Sequence, residues 1–305
     1  MNKITLPKKL NFTTTTNLSK AFQNIKKPTT LIFKKGFAQP AGITLLSSLI
    51  NSKREFITIE YEKQEDINYL QRTNFFKNLD FKISNILSQE DRNNNLLECT
   101  KVLTDDDPYE IDIKLKQILE AHIEGKPNLV LGILLTVYEV VDNILEHSTG
   151  EAFKESDRAI KTPAFVSAQY YNNRNNHIEI GISDWGKGIV DTLAEEYSEL
   201  SREEVLLKAF ELNTTRHRKF FPSRGNGLAK LKHFVLLSGG SIRCRTNEFE
   251  IIFSPLYPNG QIEKIEPIIG THFEIMIGCY NDIDTNPVFE IDYSDYIDEL
   301  DDFFD

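Results

Sequence analysis

Apolar residues recur at two different spacings in this chain, and the balance between them shifts partway along. Over residues 17–103, short extended runs alternate with stretches of helical spacing. Thr29–Lys34 (TTLIFK) and Glu55–Tyr61 (EFITIEY) have the β-branched and aromatic content of strands. Ala41–Ser52 and Glu65–Leu79 repeat apolar residues at helical intervals. That alternation predicts a small α/β layer. An asparagine-rich loop, Asn93-Asn94-Asn95, precedes one more strand ending at Leu103. The run Asp105-Asp106-Asp107-Pro108, charged and closed by proline, is the best domain boundary.

Beyond Pro108 the pattern changes. Ile111–Glu124 reads as a helix closing at Gly125-Lys126-Pro127. Proline suits the first turn of a helix, so Pro127–His147 is the next one, long, apolar on one side and therefore packed on a sheet. Phe165–Tyr171 and His177–Asp184 form a hairpin around Asn172–Asn176. A polar, helix-prone stretch, Leu193–Leu212, leads through a basic loop to Gly225 and the helix Leu228–Leu237. Ser241–Thr246, Phe249–Phe253 and His272–Ile277 read as closing strands. The expected fold class is α+β. A smaller α/β domain covers 1–107, an α/β sandwich with a mixed sheet covered by helices covers 108–280, and an acidic tail covers 281–305.

Composition narrows the setting. Apolar content of 40% and charged content of 27% over 305 residues are those of a soluble globular protein. The apolar stretch Leu129–Val141 is too short for a bilayer, and Met1–Thr5 lacks the features of a secretory signal. Three widely spaced cysteines argue against a disulfide framework or a zinc site. A cytoplasmic protein with no membrane partner is expected. The net charge of −11 is unevenly spread. Residues 1–54 carry ten Lys or Arg and no acid, whereas 290–305 carry eight acids and no base. A basic end can bind nucleic acid or an acidic partner, although these charges are dispersed among apolar residues and suit a solvated surface. The tail, Asp292–Leu300, mixes acids with aromatics, as a docking segment or a solubilising end does.

Three short motifs carry candidate chemistry. Glu139 and Asn143 are four residues apart on a predicted helix and share a face. Asn143 offers a carboxamide oxygen to magnesium, which keeps several waters and needs few protein ligands. Glu139 can act as a general base in line with a terminal phosphate. Asp184 follows a strand and can accept hydrogen bonds from an exocyclic amine, selecting adenine. Gly186 and Gly188 let backbone approach the base and allow positive φ. Arg224-Gly225-Asn226-Gly227-Leu228 opens a helix whose first amides can receive phosphate oxygens. Arg216, Arg218, Lys219 and Arg224 add positive charge nearby, and the Thr271 hydroxyl can complete an adenine pocket. Each motif alone has an ordinary structural reading, such as a polar helix end or a glycine turn; in series they are more specific.

In this order the motifs resemble the GHKL ATP-binding fold of DNA gyrase, ninety-kilodalton heat-shock chaperones, histidine kinases and mismatch-repair ATPases. Glu139–Asn143 is similar to that family's N box, Asp184–Gly188 to its first glycine box, Arg224–Leu228 to its second and Gly270-Thr271 to its last. The resemblance covers about 127–278, and Asp184 lies 41 residues after Asn143 and 41 before Gly225. It implies ATP and Mg2+ as cofactors. Glu139 would be the catalytic base, Asn143 the metal ligand and Asp184 the adenine acceptor. Gly186, Gly188, Gly225, Gly227 and Thr271 would shape the pocket, and 189–224 would form a lid. Only 28 residues follow Ile277, too few in this sequence for the second domain of gyrase-like enzymes. His122 lacks the Glu and Pro context of a histidine-kinase phosphoacceptor and is expected to be structural. The remainder looks most like bacterial anti-sigma-factor and partner-switching kinases, which modify Ser or Thr of a STAS-type partner, though these usually lack such an N-terminal half. The implied function is an ATP- and magnesium-binding regulatory protein, an ATPase or Ser/Thr protein kinase acting on a protein partner. A non-hydrolysing nucleotide-gated module and a nucleic-acid-dependent ATPase using 1–54 are the alternatives. Homo-oligomerisation is left open.

Overall fold

A computed structural model describes residues 2–83, 94–103, 107–147, 163–172, 176–212, 214 and 226–284. The N-terminal part comprises β1 (Asn2–Thr5), β2 (Lys9–Leu10), α1 (Phe12–Thr16), α2 (Ser19–Gln23), β3 (Thr29–Phe33), β4 (Phe37–Ala38), α3 (Pro40–Ser52), β5 (Ile57–Tyr61), α4 (Asn68–Arg72) and α5 (Phe75–Asn78). There follow β6 (Leu96–Val102), α6 (Asp107–His122), α7 (Pro127–His147), β7 (Ala164–Tyr171), β8 (His177–Ser183), α8 (Ile189–Leu193), α9 (Arg202–Ala209), α10 (Gly227–Leu237), β9 (Ser241–Ser254) and β10 (Tyr257–Gly278).

The architecture is α+β. Five strands form one sheet in the order β6-β7-β8-β10-β9. Every pairing in it is antiparallel, which corrects the expected mixed sheet. Parallel pairs occur instead at the N-terminus, in β1-β3-β5 and β2-β4. β6 precedes the expected boundary near residue 107 but is an edge strand of the five-stranded sheet. Its outer edge is occupied: the Cys99 amide donates to the Thr73 carbonyl at 2.9 Å, and the Asn78 amide group donates to the Cys99 carbonyl.

Both faces of this sheet are covered. On one, Ile178, Ile180 and Ile182 of β8 join Phe273, Ile275 and Ile277 of β10 against Leu129, Ile133, Val137, Val140 and Ile144 of α7. The spacing of those α7 residues is the apolar stripe of an amphipathic helix. α7 is long and apolar enough to cross a membrane, yet that stripe is buried within the protein. On the other face lies α3, whose residues Pro40 to Ile50 are all buried, because the helix lies between the five-stranded sheet and the N-terminal core that includes α1, α2 and apolar residues of β3 and β5. Gly181 permits that approach, since a Cβ there would lie 2.4 Å from the Ala41 backbone. Further along the same face, Arg243 pairs with Glu250 and Glu274, Arg245 pairs with Glu250, and both guanidinium groups lie over the Phe12 ring of α1.

Several boundaries differ from the sequence reading. The helix expected over Glu65–Leu79 is a turn of 3-10 helix (Gln64–Asp66) followed by α4 and α5. The break is at Asn74, which adopts a left-handed φ of 58°, a conformation asparagine tolerates better than most residues. The two strands expected over 241–253 are a single β9, bent at Asn247 with φ of 53°. β10 begins at Tyr257 and reaches Thr271 through register shifts, so Gly270-Thr271 lies inside a strand rather than opening one.

Candidate functional site

Chain direction brings the candidate residues to one end of the sheet. At the opposite end, Lys126 donates to the Cys279 carbonyl at 2.8 Å, and Asp282 accepts from the Leu129 amide at 2.9 Å and from Asn128 at 3.1 Å. Asp282 thereby caps α7, and the tether fixes its start beside Gly278. From Pro127 to Asn143 the helix advances about 24 Å at 1.5 Å per residue. From Gly278 back to Thr271, β10 spans about 24 Å at 3.4 Å per residue. These matched lengths carry Asn143 toward the end of the sheet that holds Thr271. α10 runs the other way: its last residue is followed within four positions by Ser241, which registers against Met276 near the far end of β10. Its N-terminus thus points at the same end as the C-terminal half of α7.

Contacts there are close. A Cβ at Gly227 would fall 2.6 Å from Glu139 Oε2 and 2.7 Å from Asn143 Nδ2, so glycine is what allows α10 to begin against α7. The Asn143 Nδ2 donates to the Glu139 carbonyl at 2.6 Å. Glu139 Oε1 lies 4.0 Å from the Lys230 ammonium. Burial raises the Glu139 pKa, Lys230 opposes that shift, and Asp142 adds to it. Asn226 occupies the N-cap of α10 without a side-chain cap bond, and the helix dipole places partial positive charge at this end. Leu228 is partly buried against the core.

Asp184 continues the alternation of Ile178, Ile180 and Ile182, which puts its side chain on the face covered by α7 and α10. It is 4% exposed. Burial lifts its pKa from 3.8 to about 6, against the hydrogen bonds from the Gly186 and Thr271 backbones. The Gly186 amide donates to Asp184 Oδ1 at 2.5 Å, and the Asp184 amide donates to the Thr271 carbonyl at 3.0 Å. Of the two glycines in the motif, only Gly188 takes a positive φ, of 87°. The Thr271 hydroxyl lies 3.4 Å from that of Thr246.

Residues that the sequence reading passed over hold this geometry. Thr246 Oγ1 accepts from the Ile189 amide at 2.9 Å and donates to the Gly270 carbonyl at 3.2 Å. Asn247 accepts from the Val190 amide and donates to the Lys187 carbonyl, each at 3.1 Å. Together they clamp the 184–190 loop to β9. Lys230, three residues after Gly227 and so one turn into α10, was within reach of helical spacing; Thr246 and Asn247 had no local signal. His122, expected to be structural, has defined partners. Its ring stacks on Tyr170 at 4.6 Å, and Nε2 donates to the Asn94 carbonyl at 3.1 Å.

Of the expected lid over 189–224, Val190, Leu193, Tyr197, Val205, Leu206, Ala209 and Phe210 of its first part are buried in the main core. Arg202 ties α8 and α9 together, 2.7 Å from Asp191 and 2.5 Å from Glu248. Arg224, Gly225, Arg216, Arg218 and Lys219 lie outside the described residues.

The residues present that suit a magnesium nucleotide are a carboxamide on α7 beside a carboxylate, a helix start packed closely on them through Gly227, and a buried acceptor at Asp184. Among the described residues no group of three or more His, Cys, Asp or Glu could hold a metal by itself. An ion at Asn143 would therefore complete its shell with phosphate and water oxygens. Compared with known proteins, the chain matches no family model and no curated protein.

Proposed function

We propose that this chain binds a magnesium adenine nucleotide in a GHKL-type site and uses the state of that nucleotide to control a protein partner. Two groupings support the reading: Glu139 and Asn143 of α7 against the glycine start of α10, and Asp184 bonded to the Thr271 backbone, with chain direction carrying both toward one end of the sheet. These elements come from four separate stretches of chain, and an ordinary core has no need to bury a carboxylate at the cost seen for Asp184.

In this reading each residue has one task. Asp184, ionised above pH 6, accepts the exocyclic amine of adenine. The first amides of α10 receive phosphate oxygens. Asn143 Oδ1 would hold magnesium, which when bound would neutralise charge on the phosphates. Glu139 takes a proton from the attacking hydroxyl, either of water or of a Ser or Thr on the partner. Lys230 keeps positive charge beside Glu139. The STAS-type partner class follows from the resemblance to partner-switching kinases. The three cysteines, all free and buried, suit a reducing cytoplasm.

The nucleic-acid alternative is weakened by the charge pairing of the N-terminal segment. Lys3, Lys20, Lys34 and Lys35 pair with Glu60, Glu266, Glu62 and Glu65. Arg54 donates to the Leu79 and Asp80 carbonyls and covers the Phe81 ring. Half of the ten basic residues are thus engaged within the protein.

Single-turnover reactions with γ-labelled ATP test the proposal. The wild type should release phosphate or label a partner, and Glu139→Gln should bind ATP while losing that product by about 100-fold or more. Tight ATP binding by the wild type with neither product would instead support the nucleotide-gated module.

A further inference from the structure

The wall behind Asp184 belongs to the N-terminal half of the chain. Three successive residues at the end of β8 are each anchored there. Ser183 Oγ lies 3.2 Å from Thr44 Oγ1. The Ser48 hydroxyl donates to the Asp184 carbonyl at 2.7 Å. Trp185 packs against the N-terminal core.

The match is one of lengths as well as contacts. Ala41, Thr44 and Ser48 fall on one face of α3 at intervals of three and four residues. The seven residues from Ala41 to Ser48 rise about 10 Å, and the three from Gly181 to Asp184 extend about 10 Å. α3 therefore runs in step with β8, with Ala41 against Gly181, Thr44 against Ser183 and Ser48 against Asp184. The contact at Asp184 has no slack. Gly270, at φ of 89°, closes on the other side of the same carbonyl, where a Cβ would lie 2.2 Å from the oxygen. Ser48 is 1% exposed and touches no surface from which a nucleotide could approach.

We infer that Ser48 is a positioning residue for base recognition, and that α3 is the route by which the N-terminal layer sets the preference of the site for a 6-amino over a 6-oxo purine. This rests on the nucleotide reading above. The Asp184 carboxylate distinguishes the two bases because an amine donates to it and a carbonyl oxygen repels it. Discrimination of that kind depends on the height of the carboxylate against the base edge. That height is set by the backbone of the same residue, which Ser48 holds from one side and Gly270 from the other. A change in the packing of the N-terminal layer would move Asp184 through this bond and alter nucleotide preference with no contact to the ligand.

The test uses the full chain and two probes, ATP and inosine triphosphate, titrated calorimetrically in magnesium buffer. Ser48→Ala should weaken ATP by about five-fold, the factor that corresponds to one lost neutral hydrogen bond. The inosine nucleotide should change less, so the ratio of the two affinities narrows. Ser48→Thr, which keeps the hydroxyl, should restore the ratio. If Ser48→Ala does not fold, Thr44→Val, nearly isosteric at the neighbouring contact, is read in the same way. Equal loss for both nucleotides, or a lowered melting temperature with an unchanged ratio, overturns the inference and leaves the nucleotide reading standing. Failure of the wild type to bind either probe overturns both.

Discussion

Replacing Asp184 with Asn should stabilise the empty protein while removing its recognition of adenine. A carboxyl that titrates near 6 instead of 3.8 carries about 3 kcal/mol of unfavourable ionisation at neutral pH. Asparagine occupies the same volume without the charge. It also gives up part of what the carboxylate accepts from the Gly186 and Thr271 backbones, worth about 1–2 kcal/mol. The net gain is about 1–2 kcal/mol at pH 8. The pH dependence follows from the sign of the shift. The folded pKa is raised, so the penalty is complete above pH 6 and fades as pH falls from 6 toward 3.8, where folded and unfolded chains both hold the proton. The advantage of the variant should therefore be present at pH 8 and reversed near pH 4, where only the lost hydrogen bonding remains. Urea unfolding of both proteins at the two pH values reads this as a change in the sign of the midpoint difference. A variant less stable by the same amount at both would refute the reasoning, because the buried charge would then carry no cost. A site that costs stability and returns it on neutralisation is what a functional carboxylate predicts.

Other parts of the structure give separate expectations. His272 is fully buried, with its pKa lowered to about 4 by burial and by the nearby Arg245 charge, against the Ile269 carbonyl that Nε2 contacts at 2.9 Å. Its stabilising contribution is complete above pH 6.5 and is lost as pH falls toward 4, up to about 3 kcal/mol. In the Asp184→Asn background, where the opposing titration is gone, His272→Gln should flatten the acid limb of stability against pH. Gly181→Ala forces a methyl against the Ala41 backbone and should cost about 1–3 kcal/mol or more, with faster proteolysis within residues 2–83. Asp282→Ala removes the cap from α7 and should lower stability by about 1 kcal/mol in the same denaturation assay.

The elements with strong local signals were legible in the sequence. Pro127 at the first turn and a sustained apolar stripe placed α7 at its observed limits, and the asparagine-rich turn between two extended runs placed β7 and β8. The short strands β1 and β2 gave no such signal, because two to four residues cannot display a period. The antiparallel strand order was not encoded locally, since β10 pairs with β8 across about ninety residues. The site divides in the same way. Glu139, Asn143, Asp184, Gly227 and Thr271 lie in short motifs and could be named. Ser48 and Asp184 are 136 residues apart, and the clamp of Thr246 on Ile189 spans 57, so only the folded chain shows them as neighbours. The same distance hid the role of residues 2–83, which read as a separate layer and in the fold cover the second face of the five-stranded sheet.

The most direct test of the central claim is calorimetric titration of ATP into the full chain with and without magnesium, repeated for Asn143→Ala and Gly227→Val. The wild type should bind ATP, more tightly with the metal. Asn143→Ala should bind but lose most of that metal dependence. Gly227→Val, whose side chain would collide with Glu139 and Asn143 and push the start of α10 off α7, should not bind. No detectable heat of ATP binding to the folded wild type, or identical binding by all three proteins, would contradict the assignment of this site.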